Sequence, residues 1–297
     1  MRRASIAISI LAAAAAAMAS PPSRAWGDSG HKVVALVASH YLDAPVRRKI
    51  DAILATDATG LTPSTSLADE ATWADRYRES DRQTTKAVYE LTMNWHFVNI
   101  AIDGSVDLES ACFDHPPQLP KASEGPARSC IVDRIGAFAA ELADPNTDAD
   151  EQRIALQFLL HLIGDLHQPL HASNDDDLGG NTKTVAATGV AAGSLHRYWD
   201  TVLVERLNRR PETIARTLVR TMTPAQIRSW SQGDATSWAM QSFEIAKLYT
   251  YGDLPERRDD GTYALADDYT KHSTNLVARQ LARAGVRLAR VLNEALK

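Results

Sequence analysis

The sequence predicts a mainly α-helical protein with a single folded domain. Helical periodicity dominates from Trp26 onward, and no convincing run of alternating strand residues interrupts it. No linker, low-complexity tract or internal repeat divides the chain, and about 270 residues suit one domain. The clearest helix is the last, where apolar residues recur at intervals of three and four and form one stripe facing the core. The stripe comprises Val277, Leu281, Ala284, Leu288, Leu292 and Ala295.

Residues 1–25 have the composition of a secretory signal peptide. Arg2 and Arg3 precede an alanine-rich apolar stretch that is shorter than the roughly 20 residues of a membrane-spanning helix. Ser23 and Ala25 occupy the minus-three and minus-one positions of a cleavage site before Trp26. The sequence therefore predicts a secreted or periplasmic protein that begins at Trp26, spans 26–297 and has no stable membrane association.

Further helices are predicted at 31–42, 45–55, 131–142, 150–166, 195–207 and 224–249. Pro45 and Pro224 suit the first turn of their helices, where the missing N–H has no partner to lose. The segments 57–66, 114–129, 174–184 and 251–261 are rich in Gly, Pro, Asp and Asn and are predicted loops. Loops on a helical frame commonly carry the substrate contacts.

The charge balance gives no general attraction for phosphates. The chain has 32 Lys and Arg against 37 Asp and Glu. Removal of Arg2, Arg3 and Arg24 with the signal peptide leaves 29 against 37, a net charge near −8. If the substrate is a nucleic acid, bound divalent cations would have to supply the attraction locally.

Two cysteines, Cys112 and Cys130, flank a segment that contains Pro and Gly. Export to an oxidising compartment favours a disulfide between them. A pair of zinc thiolates is the alternative, but this wide spacing is not typical of thiolate sites.

The segment from His161 to His171 is the strongest local indication of chemistry. At about 100° per residue, His161, Asp165 and His171 fall within an arc of roughly 120° and can share one face. Pro169 must bend or end the helix before His171. These side chains offer the nitrogen and oxygen ligands that zinc prefers.

His196 and Asp200 repeat the four-residue spacing, so both project from one side of a helix. One such pair is most simply a surface hydrogen bond, whereas two pairs and an extra histidine favour metal binding. Asp75 and His96 are weaker candidates, because an isolated Asp is usually solvated and a His between aromatic residues is usually core.

The predicted N-terminus is a further candidate. Trp26 would present a free α-amine and its own carbonyl as a chelating pair, since an amine with a pKa near 8 readily gives up its proton to a metal. His31 follows five residues later and could complete such a site. The simpler interpretation is that Trp26 only packs in the core and His31 only caps a helix.

Together these residues resemble the zinc-dependent single-strand nucleases of the mung bean nuclease and nuclease P-one type. The resemblance extends over almost the whole chain after residue 25. It implies the mainly helical fold shared with zinc phospholipases C, with three zinc ions in a cleft. The matching positions are Trp26, His31, Asp75 in Trp-Ala-Asp, His96 in Trp-His-Phe, His161, Asp165, His171, His196 and Asp200.

The resemblance also implies how these residues share three Zn²⁺. One zinc is assigned to Asp75, His96, His161 and Asp165. A second is assigned to the Trp26 amine and carbonyl with His31 and Asp165, so that Asp165 bridges the pair. The third is assigned to His171, His196 and Asp200.

Four further residues receive roles from the same resemblance. Arg78, with Asp75 and Asp165, is expected to serve catalysis by binding negative charge on the scissile phosphate. Phe97 is expected to stack on an unpaired base. Asn99 and Asn181 are also expected to contact the substrate. Asn99 stands where better-known members carry Asp, so base preference is open, and Asn181 is placed on a wall of the cleft.

The implied activity is hydrolysis of single-stranded DNA and RNA to 5′-phosphorylated products, with 3′-nucleotidase activity, by a monomeric enzyme. A zinc phospholipase C on the same scaffold is the first alternative, which Phe97 disfavours. A non-enzymatic periplasmic zinc-binding protein is the second, and absence of any phosphoester hydrolysis would support it.

Overall fold

A computed structural model describes residues 26–112 and 115–297, so the predicted signal peptide lies outside the described residues. The fold is mainly α-helical, as predicted. In these residues the α-helices are α1 Asp28–Tyr41, α2 Ala44–Leu54, α3 Leu67–Glu70, α4 Trp73–Glu79, α5 Ala87–Thr92, α6 Leu108–Ala111, α7 Ile131–Ala143, α8 Ala149–Leu166, α9 Leu195–Arg197, α10 Leu203–Leu207, α11 Pro211–Thr221, α12 Pro224–Trp230, α13 Ala235–Ile245 and α14 Asp267–Ala295.

Helix α8 forms the centre of the fold. Every residue from 155 to 166 is buried, which is the expected pattern for a helix covered on all sides. Helix α7 packs along it, and α1, α2, α4 and α14 also contact it. Its first turn is capped by Asp148, whose side chain accepts from the Glu151 N–H. The helix ends at Leu166, just before Pro169, as the sequence predicts.

The N-terminal and C-terminal helices pack closely against each other. Five residues of the predicted stripe on α14 are buried, from Val277 to Leu292, and Ala295 is partly buried. Gly285 permits the approach of α1, because a Cβ there would lie 2.4 Å from Val37 Cγ1. This packing fixes α1, which carries His31.

The structure contains a small three-stranded sheet that was not predicted from the sequence. Strands β1 Thr184–Ala187 and β2 Val190–Ser194 form an antiparallel hairpin, and β3 Tyr263–Leu265 pairs with β1 in parallel. The strands contain three to five residues each, too few to produce a recognisable alternation. Val185 and Leu265 of this sheet are buried in the hydrophobic core, and β2 leads into α9, which carries His196.

The predicted single helix at 224–249 is wrong. Gly233 has φ +85° and interrupts it, and the Asp234 side chain then caps a new helix by accepting from the Ser237 N–H. The predicted helix at 195–207 is confirmed as a nearly continuous run, with the π-helical turn Tyr198–Val202 between α9 and α10. Helices α3 to α6 contain four to seven residues and were too short to show a period.

Cys112 and Cys130 form the predicted disulfide. It joins the end of α6 to the residue that precedes α7. Cys112 therefore cannot act as a thiolate, although its sulfur lies near His115 and Asp133. In residues 26–112 and 115–297, no helix combines the length and apolar character needed to cross a membrane.

Candidate metal centre and active-site cleft

Asp165, near the end of α8, lies at the centre of a buried group of histidines. Its Oδ2 is 3.0 Å from His96 Nδ1 and 3.2 Å from His161 Nε2. Its Oδ1 is 3.2 Å from His31 Nε2. One carboxylate thus joins residues from α1, α8 and the 3₁₀ turn Met93–His96.

Asp75 on α4 completes this first group. Its Oδ1 lies 3.6 Å from His161 Nε2 and 3.8 Å from His96 Nδ1. Arg78, one turn later, places Nη2 3.0 Å from the same oxygen. Asp75 is therefore held between the histidines and an arginine.

His171, His196 and Asp200 form a second group. His196 Nε2 is 3.0 Å from Asp200 Oδ2 and 3.2 Å from His171 Nε2. The 3₁₀ turn Pro169–His171 carries the first histidine, and the helical run that starts with α9 carries the other two residues. His171 Nδ1 lies 3.9 Å from Asp165 Oδ2, so the two groups are adjacent.

Three histidines have one ring nitrogen fixed by a backbone carbonyl. His161 Nδ1 faces the Ala71 carbonyl at 2.8 Å, and His171 Nδ1 faces the His96 carbonyl at 2.7 Å. His196 Nδ1 faces the Gly179 carbonyl at 2.6 Å. A carbonyl only accepts, so each Nδ1 must donate and each Nε2 keeps its lone pair for a ligand. Metal-binding histidines commonly have this arrangement.

Several polar atoms at the centre make no hydrogen bond despite their close approach. Buried polar groups in folded proteins nearly always have a partner, so a cluster of such atoms requires an explanation. A divalent cation would satisfy these imidazole and carboxylate atoms together. The atoms are His31 Nδ1 and Nε2, His96 Nε2, His161 Nε2, Asp75 Oδ1 and Asp165 Oδ1.

The two carboxylates and Arg78 shift the pKa values of the neighbouring histidines in opposite directions. Burial alone would lower the pKa of His161, but Asp165 and Asp75 raise it to about 10. Burial and then Arg78 lower the pKa of His96 to about 4. Burial would raise the pKa of Asp75, yet Arg78 and the histidines lower it. A bound cation would replace the His161 proton as the charge that compensates the two carboxylates.

Trp26 is buried next to this centre. Its indole Nε1 donates to the Gly164 carbonyl at 2.8 Å, one residue before Asp165. The Gly27 N–H donates to the Asp200 carbonyl at 3.1 Å. Gly164 leaves room for His31, because a Cβ there would lie 2.9 Å from His31 Nδ1. The structure thus places the start of α1 beside both groups.

A cavity of about 400 Å³ opens above the centre. His96, His171 and His196 line this cavity. Four further lining residues are ones that the sequence assigns to catalysis or substrate contact. These four are Arg78, Phe97, Asn99 and Asn181. Phe97 is half-buried, whereas Asn99 and Asn181 are exposed. The Asn181 side chain donates to the Leu178 carbonyl at 2.8 Å and shapes its own loop.

Gln168 contacts the second group and was not predicted from the sequence. Its Nε2 donates to Asp200 Oδ1 at 2.6 Å, and its Oε1 accepts from the Leu170 N–H at 2.6 Å. Gln168 therefore holds the Asp200 carboxylate in an orientation in which Asp200 Oδ2 faces His196. The position of Gln168 between His161 and His171 was the only sequence feature that could have indicated this role. A glutamine is not a usual zinc ligand, so the spacing of metal ligands does not single it out.

Replacing Gln168 with leucine is expected to weaken metal binding at the second group by about 10- to 100-fold, the range typical of partners that orient metal ligands. Asp200 Oδ1 would lose the hydrogen bond from Gln168 Nε2, while the backbone turn stays closed by the bond from the His171 N–H to the Gln168 carbonyl. The affinity for added Zn²⁺, from calorimetric titration of metal-free protein, measures this. Gln168→Glu is the matched variant, and it should be at least as damaging because it adds a like charge. Wild-type zinc affinity in both variants would contradict this role.

His167 has a structural role instead. It is fully buried, and its Nε2 accepts from Arg287 Nη1 at 2.7 Å while its Nδ1 donates to the Ile163 carbonyl at 2.7 Å. Burial, and then Arg287, lower its pKa well below the usual value. His167 thus connects α14 to the turn that follows α8.

This chain is similar to known nucleases over most of its length. The model of the S1/P1 Nuclease family matches residues 26–297. Nuclease PA3 from Penicillium sp and Nuclease P1 from Penicillium citrinum are each 29% identical, covering 91% of this chain and 97% of the relative. Endonuclease 2 from Arabidopsis thaliana is 27% identical, covering 93% of this chain and 92% of the relative. The chain therefore belongs to the S1/P1 nuclease family and is a nuclease.

Proposed function

We propose that this chain is a secreted, zinc-dependent nuclease that hydrolyses single-stranded DNA and RNA to 5′-phosphorylated products and also removes 3′-phosphates from nucleotides. The observation that carries the proposal is a buried cluster of five histidines and three aspartates, three histidines of which line a cleft together with Arg78 and Phe97.

Three Zn²⁺ would be shared among these residues. The first would take Asp75, His96, His161 and Asp165, and the second would take His31, Asp165 and the amine and carbonyl of Trp26. The third would take His171, His196 and Asp200. Two groups of candidate ligand atoms that lie within 4.8 Å of one another fall inside the first and third sets, namely His96, His161, Asp165 and His171, His196, Asp200. A further group, His31, Asp75 and His161, combines residues of the first and second sets, which places those two sites side by side. Zinc, when bound there, supplies an activated water and stabilises the departing 3′ oxygen.

The N-terminal ligand depends on processing before Trp26. Only cleavage at that point gives Trp26 a free amine, so the proposal links metal binding to export. Support comes from the buried indole beside Gly164 and from the position of His31 at the first group.

Arg78 would bind the phosphate where negative charge develops. Its guanidinium contacts Asp75 Oδ1 at 3.0 Å and Glu79 Oε1 at 3.3 Å, so its position is fixed before substrate arrives. Groups fixed in advance cost little reorganisation during the reaction. The same arginine lines the cavity beside His96.

Phe97 would account for a single-strand preference. A base can stack on its ring only when the base is unpaired, and any base can do so. Its position directly after His96 would place that base beside the metal centre.

Replacing Phe97 with alanine is expected to raise KM for single-stranded polynucleotides by about tenfold with little change in kcat. Stacking contributes about 1–3 kcal/mol per base, and 1.36 kcal/mol corresponds to tenfold. Steady-state kinetics on single-stranded DNA measure this, with Phe97→Tyr as the conservative control. An oligonucleotide without bases should show no difference between the variants. An equal loss on that substrate would argue against stacking.

The decisive experiment is paired, on secreted and correctly processed protein. Zinc content is determined by elemental analysis, and hydrolysis of single-stranded DNA, single-stranded RNA and duplex DNA is measured before and after chelation. About three zinc ions per chain and chelator-sensitive release of 5′-mononucleotides would support the proposal. Hydrolysis of phosphatidylcholine without nucleolysis would indicate a phospholipase C, and bound zinc without phosphoester hydrolysis would indicate a zinc-binding protein.

A further inference from the structure

The cleft contains a second arginine for which the proposed function has no role. Arg82 lies between α4 and α5 and lines the same cavity as Arg78, Phe97 and His196. Its side chain is 33% exposed, whereas that of Arg78 is 10% exposed. Arg82 is therefore the more accessible of the two guanidinium groups in the cleft.

Glu79 holds both arginines with its two carboxylate oxygens. Its Oε1 lies 3.3 Å from Arg78 Nε, and its Oε2 lies 3.0 Å from Arg82 Nη1. Arg78 has a second carboxylate in Asp75, but Asp75 also faces the histidines of the metal centre. One carboxylate shared by two guanidinium groups leaves positive charge on this wall of the cleft.

An aromatic ring supports Arg82 from one side. The Arg82 guanidinium carbon lies 4.8 Å from the centroid of the Tyr89 ring, and Tyr89 also lines the cavity. The ring contact and the Glu79 hydrogen bond to Nη1 hold the planar guanidinium from two sides, and its other N–H groups are the donors that a phosphate could engage. A fork of N–H donors on an aromatic support is a common way of binding phosphate.

We propose that Arg82, positioned by Glu79 and Tyr89, binds the phosphate next to the scissile one in an oligonucleotide. The inference rests on the proposed nuclease function. The scissile phosphate would lie at the metal centre and contact Arg78, whose side chain is nearly buried. The neighbouring phosphate of the strand must then lie nearer the opening of the cleft, where Arg82 is exposed.

This subsite matters because the rest of the chain does not attract a polyanion. The formal net charge is −5. Long-range attraction to nucleic acid is therefore weak, and fixed cations inside the cleft must select the substrate. Arg82 would favour substrates with two or more phosphates over those with one, through affinity rather than through the chemical step.

The test compares Arg82→Ala and Arg82→Lys with wild type on a dinucleoside monophosphate and a trinucleoside diphosphate. We expect Arg82→Ala to raise KM for the trinucleotide by about tenfold, since hydrogen bonds to charged groups are strong, and to leave the dinucleotide and kcat unchanged. The slope of log affinity against log salt should fall by about 0.7 for one lost contact with a single strand. Arg82→Lys should recover the salt slope but only part of the affinity.

Arg220→Ala removes the same charge from an exposed position on α11 and is the matched control. It should change neither KM nor the salt slope. Dinucleotides with an added 5′- or 3′-phosphate show on which side of the scissile bond the subsite lies, because only one of them should respond to Arg82→Ala.

Equal effects of Arg82→Ala on the dinucleotide and the trinucleotide, or no effect on either, would overturn the inference. Binding of a non-hydrolysable phosphorothioate trinucleotide, followed by fluorescence anisotropy, tests Arg82 without relying on catalysis. Absence of hydrolysis by wild type would refute the proposed function, whereas unchanged trinucleotide binding by Arg82→Ala would refute the subsite alone.

Discussion

Replacing Asp165 with asparagine is expected to abolish nuclease activity and to reduce the zinc content of the protein. Both Asp165 oxygens face histidine nitrogens, with His96 and His161 on one oxygen and His31 on the other. Asparagine has nearly the same shape but offers one neutral oxygen and an N–H₂ donor. It therefore has one coordinating oxygen where the carboxylate has two, and its amide hydrogens would lie where a cation would have to sit beside the histidine nitrogens.

The expected loss in kcat/KM is about 10³-fold or more. Metal-ion catalysis supplies several kcal/mol of transition-state stabilisation, and each 1.36 kcal/mol corresponds to tenfold. Kinetics on single-stranded DNA and elemental analysis of the purified variant measure the two effects. Asp150→Asn, in the exposed first turn of the same helix, is the control and should keep both zinc and activity.

Circular dichroism shows whether Asp165→Asn keeps the helical fold. A folded variant with full zinc content and more than a tenth of wild-type activity would mean that Asp165 does not bridge metals. Full zinc content without activity would place Asp165 in the reaction but not in metal retention.

Local spacing predicted those parts of the site that share one helix. His161 and Asp165 are four residues apart, and the structure places Nε2 and Oδ2 3.2 Å apart. His196 and Asp200 have the same spacing and a separation of 3.0 Å, even though a π-helical turn begins between them. Helix geometry alone sufficed for these pairs.

Asp75 and His96 could not be found in this way. Each lies on its own short element, and only tertiary packing against α8 brings them to Asp165. Their identification depended on the family resemblance, because composition and periodicity do not distinguish them from an ordinary surface Asp and a core His.

The carbonyl groups that accept hydrogen bonds from the histidine rings could not be predicted from the sequence, because every residue has a backbone carbonyl. Gly179 is a partial exception. It adopts φ +62°, and a Cβ there would lie 2.8 Å from the Leu170 carbonyl oxygen, so only glycine brings its own carbonyl to His196 without strain. Arg82 could not be singled out from the sequence either, because its contact with the Tyr89 ring depends on how the chain folds between α4 and α5.

Removal of zinc is expected to lower the melting temperature of the protein by more than about 10 °C. The reason lies in the buried atoms of His31, His96, His161 and Asp165 that make no hydrogen bond. Without a cation, folding must bury these groups with their hydration lost and their charges uncompensated. A ligand that binds only the folded state at 1,000 times its Kd adds about 4.1 kcal/mol per site.

At about 2–4 °C per kcal/mol for a domain near this size, one site alone would contribute about 8–16 °C. Differential scanning calorimetry with and without a chelator, followed by addition of zinc, measures the shift and its reversal. In the Asp165→Asn variant, chelation should lower the melting temperature by less, because this variant would hold less zinc before the chelator is added. An unchanged melting temperature after confirmed zinc removal would mean that these histidines and carboxylates satisfy one another through protons. The high pKa of His161, set by Asp165 and Asp75, would then be the device that holds the centre together without metal.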